Sequence, residues 1–514
     1  MPRTPLLASL QEAIGETEWF ERPRTRREVL QGATAAVAAG TVWSALGCGG
    51  SSPPEHDEPI AVVGGGLAGL VCAHRLKQAG HRAIVHEASD RLGGRVWTIR
   101  GYFAEGQIAE HGGELIDSDH VAMRELVAEL GLSLSNVIAA EKPGTGNVFH
   151  FNGSRYPVRE AVADFGAVYP KLKRDLAEAG YPTLHNHHKP RGVELDHISI
   201  ADWIQQNVPG GLTSNLGRLL DVAYNTEFGA DIGDQTSLNL LYLLGYSGGG
   251  RLRLFGASNE KFHVRGGNDQ VVHRLASQLD GQVTLGSQLI EIRKLDDGRY
   301  RLTFDGDGGS RVVRAPQVVL AIPFAVMRES VDYSGAGFDP VKTMAIEQQG
   351  MGTNSKLNVQ FSTRSWHEDD ANGSTYADTG YQSTWEASRA QPGRAGILVD
   401  YTGGTIGKDY GGATADERAR RFVEQLGPVL PSVTDYDGRA VLDYWTGRPL
   451  TRGSYAYYRV GQMTAFAGVE GKPSGNCHFA GEQTSYTFQG YMEGAVKSGE
   501  QAAMEIARSA KPPR

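Results

Sequence analysis

Cysteine is scarce in this 514-residue chain: Cys48, Cys72 and Cys477 allow at most one disulfide, so packing must hold the fold together. Basic charge is not in excess either. Lys plus Arg number 51 against 59 Asp plus Glu, a net charge of −8 that leaves no field for gripping a phosphate backbone by counterion release, so no nucleic-acid partner is expected. With 40% apolar and 21% charged residues and a mean hydropathy of −0.35, the chain is neither a membrane bundle nor a disordered polymer. No internal repeat is evident. Glycine is plentiful at 67 residues, which suits tight turns and close approaches of backbone to a ligand. At about 150 residues per domain, the length fits roughly three units or two large interleaved ones.

Residues 1–56 read as an address followed by a tether. The stretch 21–28, ERPRTRRE, is cationic, and Val29 to Pro54 carries no charged side chain. Arg26-Arg27, preceded by Thr25 and followed by a moderately apolar Gly/Ala-rich run, resembles a twin-arginine export signal, a route that carries proteins already folded. Ala45-Leu46-Gly47-Cys48 loosely resembles a lipoprotein processing box, which makes Cys48 a candidate lipid anchor and the expected location periplasmic or membrane-anchored.

Ile60-Ala61-Val62-Val63 is a short apolar, β-prone run that leads straight into Gly64-Gly65-Gly66-Leu67-Ala68-Gly69. In this G-x-G-x-x-G order Gly64 permits a sharp turn, Gly66 lets backbone approach a pyrophosphate, and Gly69 allows helix to pack on strand. A helical pattern through Leu67, Leu70, Val71 and His74-Arg75-Leu76 stops at Gly80, and Arg82–His86 forms a second strand ending at Glu87. A carboxylate about 20 residues after the glycines accepts ribose hydroxyls, so adenosine with a free 2′-hydroxyl is implied. This unit alone leaves NAD and FAD open. Arg91-Leu92-Gly93-Gly94-Arg95 follows, placing a guanidinium, Arg95, where it can pair with a pyrophosphate.

Taken together, the GGGLAG turn, Glu87, RLGGR, EHGGE at 110–114, VRGGN at 264–268, VVLAIPF at 318–324 and FAGEQTSYTFQGYMEGAVKSGEQAA at 479–503 resemble the flavin-containing amine oxidases over about 58–508. That family includes monoamine, polyamine and L-amino-acid oxidases. The resemblance implies an α/β fold with a discontinuous, Rossmann-like FAD-binding domain at 57–125, 255–335 and 436–510, and an α+β substrate-binding domain at 126–254, which carries helical patterns at 159–180 and 199–223, and 336–435. It implies FAD held by Gly64, Gly66, Leu67, Ala68, Gly69, Glu87 and Arg95, by Gly112, Gly113 and Glu114, by Gly481 and Glu482 at the pyrophosphate and ribityl chain, and by Tyr491 and Met492 at the start of a helix aimed at the pyrimidine edge.

The same resemblance assigns the chemistry. Tyr455 and Tyr491 would stand as an aromatic cage around the substrate nitrogen, favouring an amine by quadrupole attraction. Trp445 precedes Tyr455 in a W-x9-Y spacing the family shares. Lys356, in an alternating strand-like segment, matches the lysine that holds a water at the flavin and assists dioxygen reduction. Where animal monoamine oxidases attach flavin through cysteine, this chain has Ser454, so non-covalent FAD is expected.

Glu114 stands near the place where amino-acid oxidases carry an arginine, and a carboxylate there would repel an amino acid and attract a second ammonium. Glu227 is another candidate amine-facing acid, while Arg251 and Arg253 are candidate partners for a substrate carboxylate. Trp203, Phe228 and Tyr242 are candidate pocket residues that periodicity alone reads as core. The histidines at 185–188 lack a carboxylate or cysteine at useful spacing, so no metal is expected. Gly248-Gly249-Gly250 reads as a turn. The leading expectation is an FAD-dependent oxidoreductase that oxidises a primary or secondary amine, monoamine or polyamine, with O2 reduced to H2O2. An L-amino-acid oxidase and a catalytically silent flavoprotein acting as a binding partner are the alternatives.

Overall fold

In the computed structural model, residues 58–509 are described apart from Asp307; the export segment and Cys48 lie outside them. A parallel five-stranded sheet gathers strands from widely separated stretches in the order Cys477–Phe479, Val318–Leu320, Ile60–Val63, Ala83–His86, Val283–Thr284. Its central strand Ile60–Val63 is buried throughout, as a parallel strand covered on both faces requires. Helix Leu67–Gln78 packs on this sheet through Leu67, Leu70, Val71 and Leu76. The C-terminal helix Met492–Ser509 lies against it. A side chain at Gly499 would strike the carbonyl of Ala68, so the two helices touch backbone to backbone there.

A second, mixed sheet of seven strands runs in the order Tyr436–Tyr444, Ser355–Phe361, Gly396–Thr402, Ser383–Glu386, Ala371–Ala377, Gly146–Phe151, Ser154–Arg155. Only the Ala371–Ala377/Gly146–Phe151 pair is parallel. Ser355–Phe361 is buried at every position, not alternately, because helix Ala415–Leu426 and the cavity described below cover its two faces. Helices Val158–Ala179, Pro190–Asp196, Ile200–Asn207, Asn215–Phe228 and Ser237–Leu244 form a further layer with a shared apolar core.

One helical expectation needs correction. The pattern over 199–223 is two helices, because Pro209 lacks an N–H and Gly210 and Gly211 take left-handed φ of 78° and 58°, which turns the chain before Ser214 caps the second helix. Gly248 pairs with Arg251 in a turn.

Candidate active site

A cavity of about 550 Å3 runs from the C-terminal end of the parallel sheet to the inner face of the mixed sheet. At the sheet end, Gly64 takes φ +105°, and a Cβ there would stand 2.5 Å from the carbonyl oxygen of Ala321, so only glycine fits. Gly69 would strike the carbonyl of Gly64 if it had a side chain. Helix Leu67–Gln78 starts at Gly66 with no side-chain cap and no acid in its first turn. Its free N–H groups therefore face the cavity, and a Cβ on Gly66 would meet nothing within 4 Å. Leu67 and Ala68 complete this mouth.

Glu87 accepts from the Gly65 N–H at 2.7 Å and from the Ser89 N–H and hydroxyl at 2.8 and 2.7 Å. A carboxylate has about four acceptor sites, so one stays open for a ribose hydroxyl. These features fit a dinucleotide: unpaired helix N–H groups for a pyrophosphate, a cradle too narrow for side chains, and an oriented acid.

Midway along, Glu482 acts as a tie. Its carboxylate is 5% exposed and accepts from Arg95 at 2.8 Å, from the Ala456 N–H at 3.3 Å and from the Gly490 N–H at 2.9 Å. One buried charge thus anchors the residues adjoining Tyr455 and Tyr491. Arg95 also donates to the Ser454 carbonyl at 2.5 Å, so part of the guanidinium expected to face the pyrophosphate is spent on the wall. Gly490 has φ +87°, and a Cβ there would lie 3.5 Å from the Tyr455 ring, so the segments bearing the two tyrosines meet. Gly112 and Gly113 pass under Trp445 and Met492, respectively, each within 3.1 Å of where a Cβ would stand. The Trp445 indole N–H donates to the His111 carbonyl at 3.3 Å and fixes that turn.

Tyr455 and Tyr491 both line the far end of the cavity. The Tyr455 hydroxyl donates to the Thr226 carbonyl at 2.9 Å and accepts from Tyr401 at 3.1 Å, while Tyr491 donates to Glu227 Oε1 at 2.8 Å. Burial holds both phenols well above their ordinary pKa, so both stay neutral donors. Lys356 is 2% exposed, with Nζ 2.5 Å from Glu114 Oε2 and 3.3 Å from the Gly112 carbonyl. The other Glu114 oxygen accepts from the Trp385 indole at 3.1 Å.

That geometry corrects the role expected of Glu114. With both oxygens engaged and its charge opposed by Lys356, it is not available to a second ammonium. At this end of the cavity the acids that stay open are Glu227 and Glu260, with Asp117 beside them engaged by backbone. Burial first, and Asp117 second, push Glu227 up to about 7. Burial, then Asp117 and Glu227, push Glu260 up to about 8. Glu260 has φ +46°, an uncommon conformation for a residue with a side chain. It is held there because Asp117 Oδ1 accepts from Ser258 Oγ and from the N–H groups of Asn259 and Glu260 at 2.5–3.0 Å. Glu260 lines the cavity and keeps accessible surface.

Sequence reasoning missed Asp117, Glu260, Trp385 and Tyr401. Glu260 sits in an aperiodic loop with no motif, and the other three become neighbours only through strand pairing and loop closure. Of the candidate pocket aromatics only Phe228 lines the cavity; Trp203 donates to Asp175 at 3.0 Å and Tyr242 is bonded to Thr183 at 2.7 Å, both in the helical core. Arg251 and Arg253 are not among the lining residues. Every cationic lining residue already has partners: Arg91 the carbonyls of Leu92 and Gly94, Arg95 Glu482, Lys356 Glu114, Arg448 Asp443. Among the described residues one His/Asp group is tight enough for a metal, Asp117–Asp119–His120, and Asp117 is already committed to the 258–260 loop.

A family model of flavin-containing amine oxidoreductases matches residues 67–507. The chain belongs to that family. It is an oxidoreductase acting on amines, and its cofactor is FAD, consistent with the dinucleotide cradle. Among relatives within the family, a putative flavin-containing monoamine oxidase, AofH, of Mycobacterium tuberculosis is 27% identical over 88% of this chain and 97% of its own length. A putative L-amino-acid oxidase, YobN, of Bacillus subtilis is 25% identical over 89% of this chain and 96% of its own. Cyclohexylamine oxidase from Brevibacterium oxydans superposes with a TM-score of 0.75 at 24% identity, covering 88% of this chain and 99% of that one. A putrescine oxidase bound to putrescine gives 0.73 at 22%, covering 87% and 98%. At these identities the solved structures establish the shared fold, an FAD-binding α/β domain with a substrate domain.

Proposed function

We propose that this flavoprotein oxidises a primary or secondary amine, monoamine or polyamine, to an imine that hydrolyses to a carbonyl compound, with O2 reduced to H2O2. The observation that carries this reading is the far end of the cavity: two neutral phenols on facing segments, open carboxyls at Glu227 and Glu260, and no guanidinium without another partner among the described lining residues. Such walls attract an ammonium and offer nothing to a substrate carboxylate. Bound FAD supplies the two-electron acceptor. The chain supplies the rest: Tyr455 and Tyr491 orient the nitrogen, the aromatic lining of Phe228, Tyr376, Trp385 and Tyr401 limits water, and Lys356 contributes a fixed positive charge that favours negative charge developing on oxygen.

Ser454 in place of a cysteine, and Cys72 and Cys477 buried away from the cavity, support non-covalent attachment. The twin-arginine-like segment supports export, with Cys48 as lipid anchor; replacing Arg26 and Arg27 by lysine should leave the protein in the cytoplasm. An anaerobic screen of flavin bleaching against aromatic monoamines, polyamines and amino acids tests the central reading. Amines should bleach the flavin. Bleaching by amino acids alone would turn the assignment to an L-amino-acid oxidase, and bleaching by nothing would leave a silent flavoprotein.

A further inference from the structure

An aliphatic amine reaches the protein as an ammonium, because its pKa is about 10, like that of lysine. Its α-carbon gives up a hydride only once the nitrogen lone pair is free to form the imine. One proton must therefore leave the nitrogen inside the cavity or before entry. We propose that Glu227 accepts this proton from the bound ammonium, as a catalytic residue of the amine oxidation proposed above, on which this step rests.

Glu227 stands in the last turn of helix Asn215–Phe228, where the helix meets the cavity wall. Its Oε1 is fixed by the Tyr491 hydroxyl, one of the two phenols that would flank the nitrogen. No described residue donates to Oε2, and the carboxyl lines the cavity, so the open oxygen is available to a guest held against Tyr491. The position couples recognition to proton removal: an ammonium that reaches the tyrosines has reached Oε2.

The surroundings set the direction of transfer. From its own helix Glu227 faces the Tyr224 phenol. Tyr491 and Tyr455 face it from the C-terminal segments, and Tyr401 and Tyr376 from the mixed sheet. Asp117 and Glu260 add negative charge, and the His120 ring packs edge-on against Tyr491 at 5.2 Å while pairing with Asp117. Glu114, the remaining acid, is offset by Lys356. Nothing here stabilises ionised Glu227 except the Tyr491 bond, and burial holds it up to about 7. The same burial lowers the pKa of an ammonium, which narrows the gap between donor and acceptor.

In the transfer one N–H bond breaks and one O–H bond forms at Oε2, and the bonding pair stays on nitrogen as its lone pair. An ammonium and a carboxylate become an amine and a carboxylic acid. No oxidant is consumed, and two buried charges are replaced by two neutral groups, which the aromatic cavity tolerates better. A carboxyl poised near neutral pH then returns the proton to water once product leaves.

The test compares the FAD-loaded wild-type protein with Glu227→Gln. With an ordinary primary amine, wild-type kcat/KM should rise through about pH 7 as Glu227 ionises. In the variant that limb should vanish, kcat/KM should climb about tenfold per pH unit toward the amine's own pKa, and the deficit near pH 8 should approach a hundredfold, the scarcity of free amine at that pH. A β-fluorinated amine that is largely unprotonated at pH 8 should restore the variant to near wild-type rates. A second readout needs no turnover. An amine without an α-hydrogen, bound at pH 8 in a weakly buffered indicator solution, should release no proton from the wild type and one per molecule bound from the variant.

An inflection near pH 7 that survives in Glu227→Gln, an equal deficit with the fluorinated amine, or identical proton release in both proteins would overturn the role. Failure of every amine to bleach the wild-type flavin would instead remove the amine-oxidase reading itself, and this step with it.

Discussion

The two ends of the cavity are built from different materials. The nucleotide end is backbone: free N–H groups at a helix start, glycines that fit only because they lack a Cβ, and one acid at the end of a strand. The amine end is side chains, drawn from a helix terminus, a strained loop, four strands and the C-terminal segment. Backbone sites demand glycine at fixed spacings and tolerate little else. Side-chain sites demand only that a suitable group arrive from somewhere, so the first end constrains the sequence locally and the second constrains it only through the fold.

The largest effect should come at the amine end. Replacing Lys356 by methionine alone would strand Glu114 as a buried unpaired charge, so the paired change Lys356→Met with Glu114→Gln is the cleaner test. Stopped-flow reoxidation of the reduced flavin should slow by about 100- to 1,000-fold, the size seen when one preorganised charge-stabilising group is removed, with flavin reduction far less affected. Equal slowing of both half-reactions would deny Lys356 an oxygen-specific role.

At the nucleotide end, Gly69→Ala drives a methyl into the Gly64 carbonyl. At an overpacking cost of about 1–3 kcal/mol, FAD affinity of the apoprotein should fall up to about a hundredfold, while amines still bleach whatever fraction is loaded. Undiminished FAD affinity would show that the turn yields without cost. A smaller change separates the acids: Glu260→Gln should raise KM for a diamine about tenfold, or about 1.4 kcal/mol, and move a monoamine less than twofold. A parallel shift for both would place Glu260 outside specificity.

The smallest effect is on stability. Glu227 and Glu260 are held up to about 7 and about 8, above the usual carboxylate range, so the folded state binds protons that the unfolded chain has released. Their contribution is present at low pH and lost as pH rises through those values. The melting temperature of the apoprotein should therefore decline from about pH 5 toward pH 8.5, less steeply in the Glu227→Gln/Glu260→Gln double variant. A slope unchanged by the double substitution would trace the decline to other groups.

The same contrast explains what the sequence disclosed. Strand, glycine turn, helix, strand and Glu87 lie within one continuous stretch, so local pattern reveals them. Tyr455, Tyr491 and Lys356 were found through the likeness of their segments to a family, not through spacing. Glu260 was invisible, since its placement depends on Asp117 catching a loop some 140 residues away in the chain. Glu114 misled because a lone acid after two glycines looks available, and the lysine that occupies it sits on a strand with no local relation to it. The helical pattern over 199–223 failed at Pro209 and the glycines after it, a breaker that periodicity averages over.

The C-terminal strand and helix close both the parallel sheet and the first helix, with Gly499 seated on Ala68. A ribosome therefore synthesises residues 70–476 before the nucleotide motif at 64–69 gains its cover. Nascent chains halted ahead of residue 477 would leave strand Val318–Leu320 with a bare edge and helix Leu67–Gln78 with an uncovered apolar face. Loading of flavin should therefore wait on residues 477–509, and termination ahead of them would yield a product suited to chaperones or proteases instead of flavin.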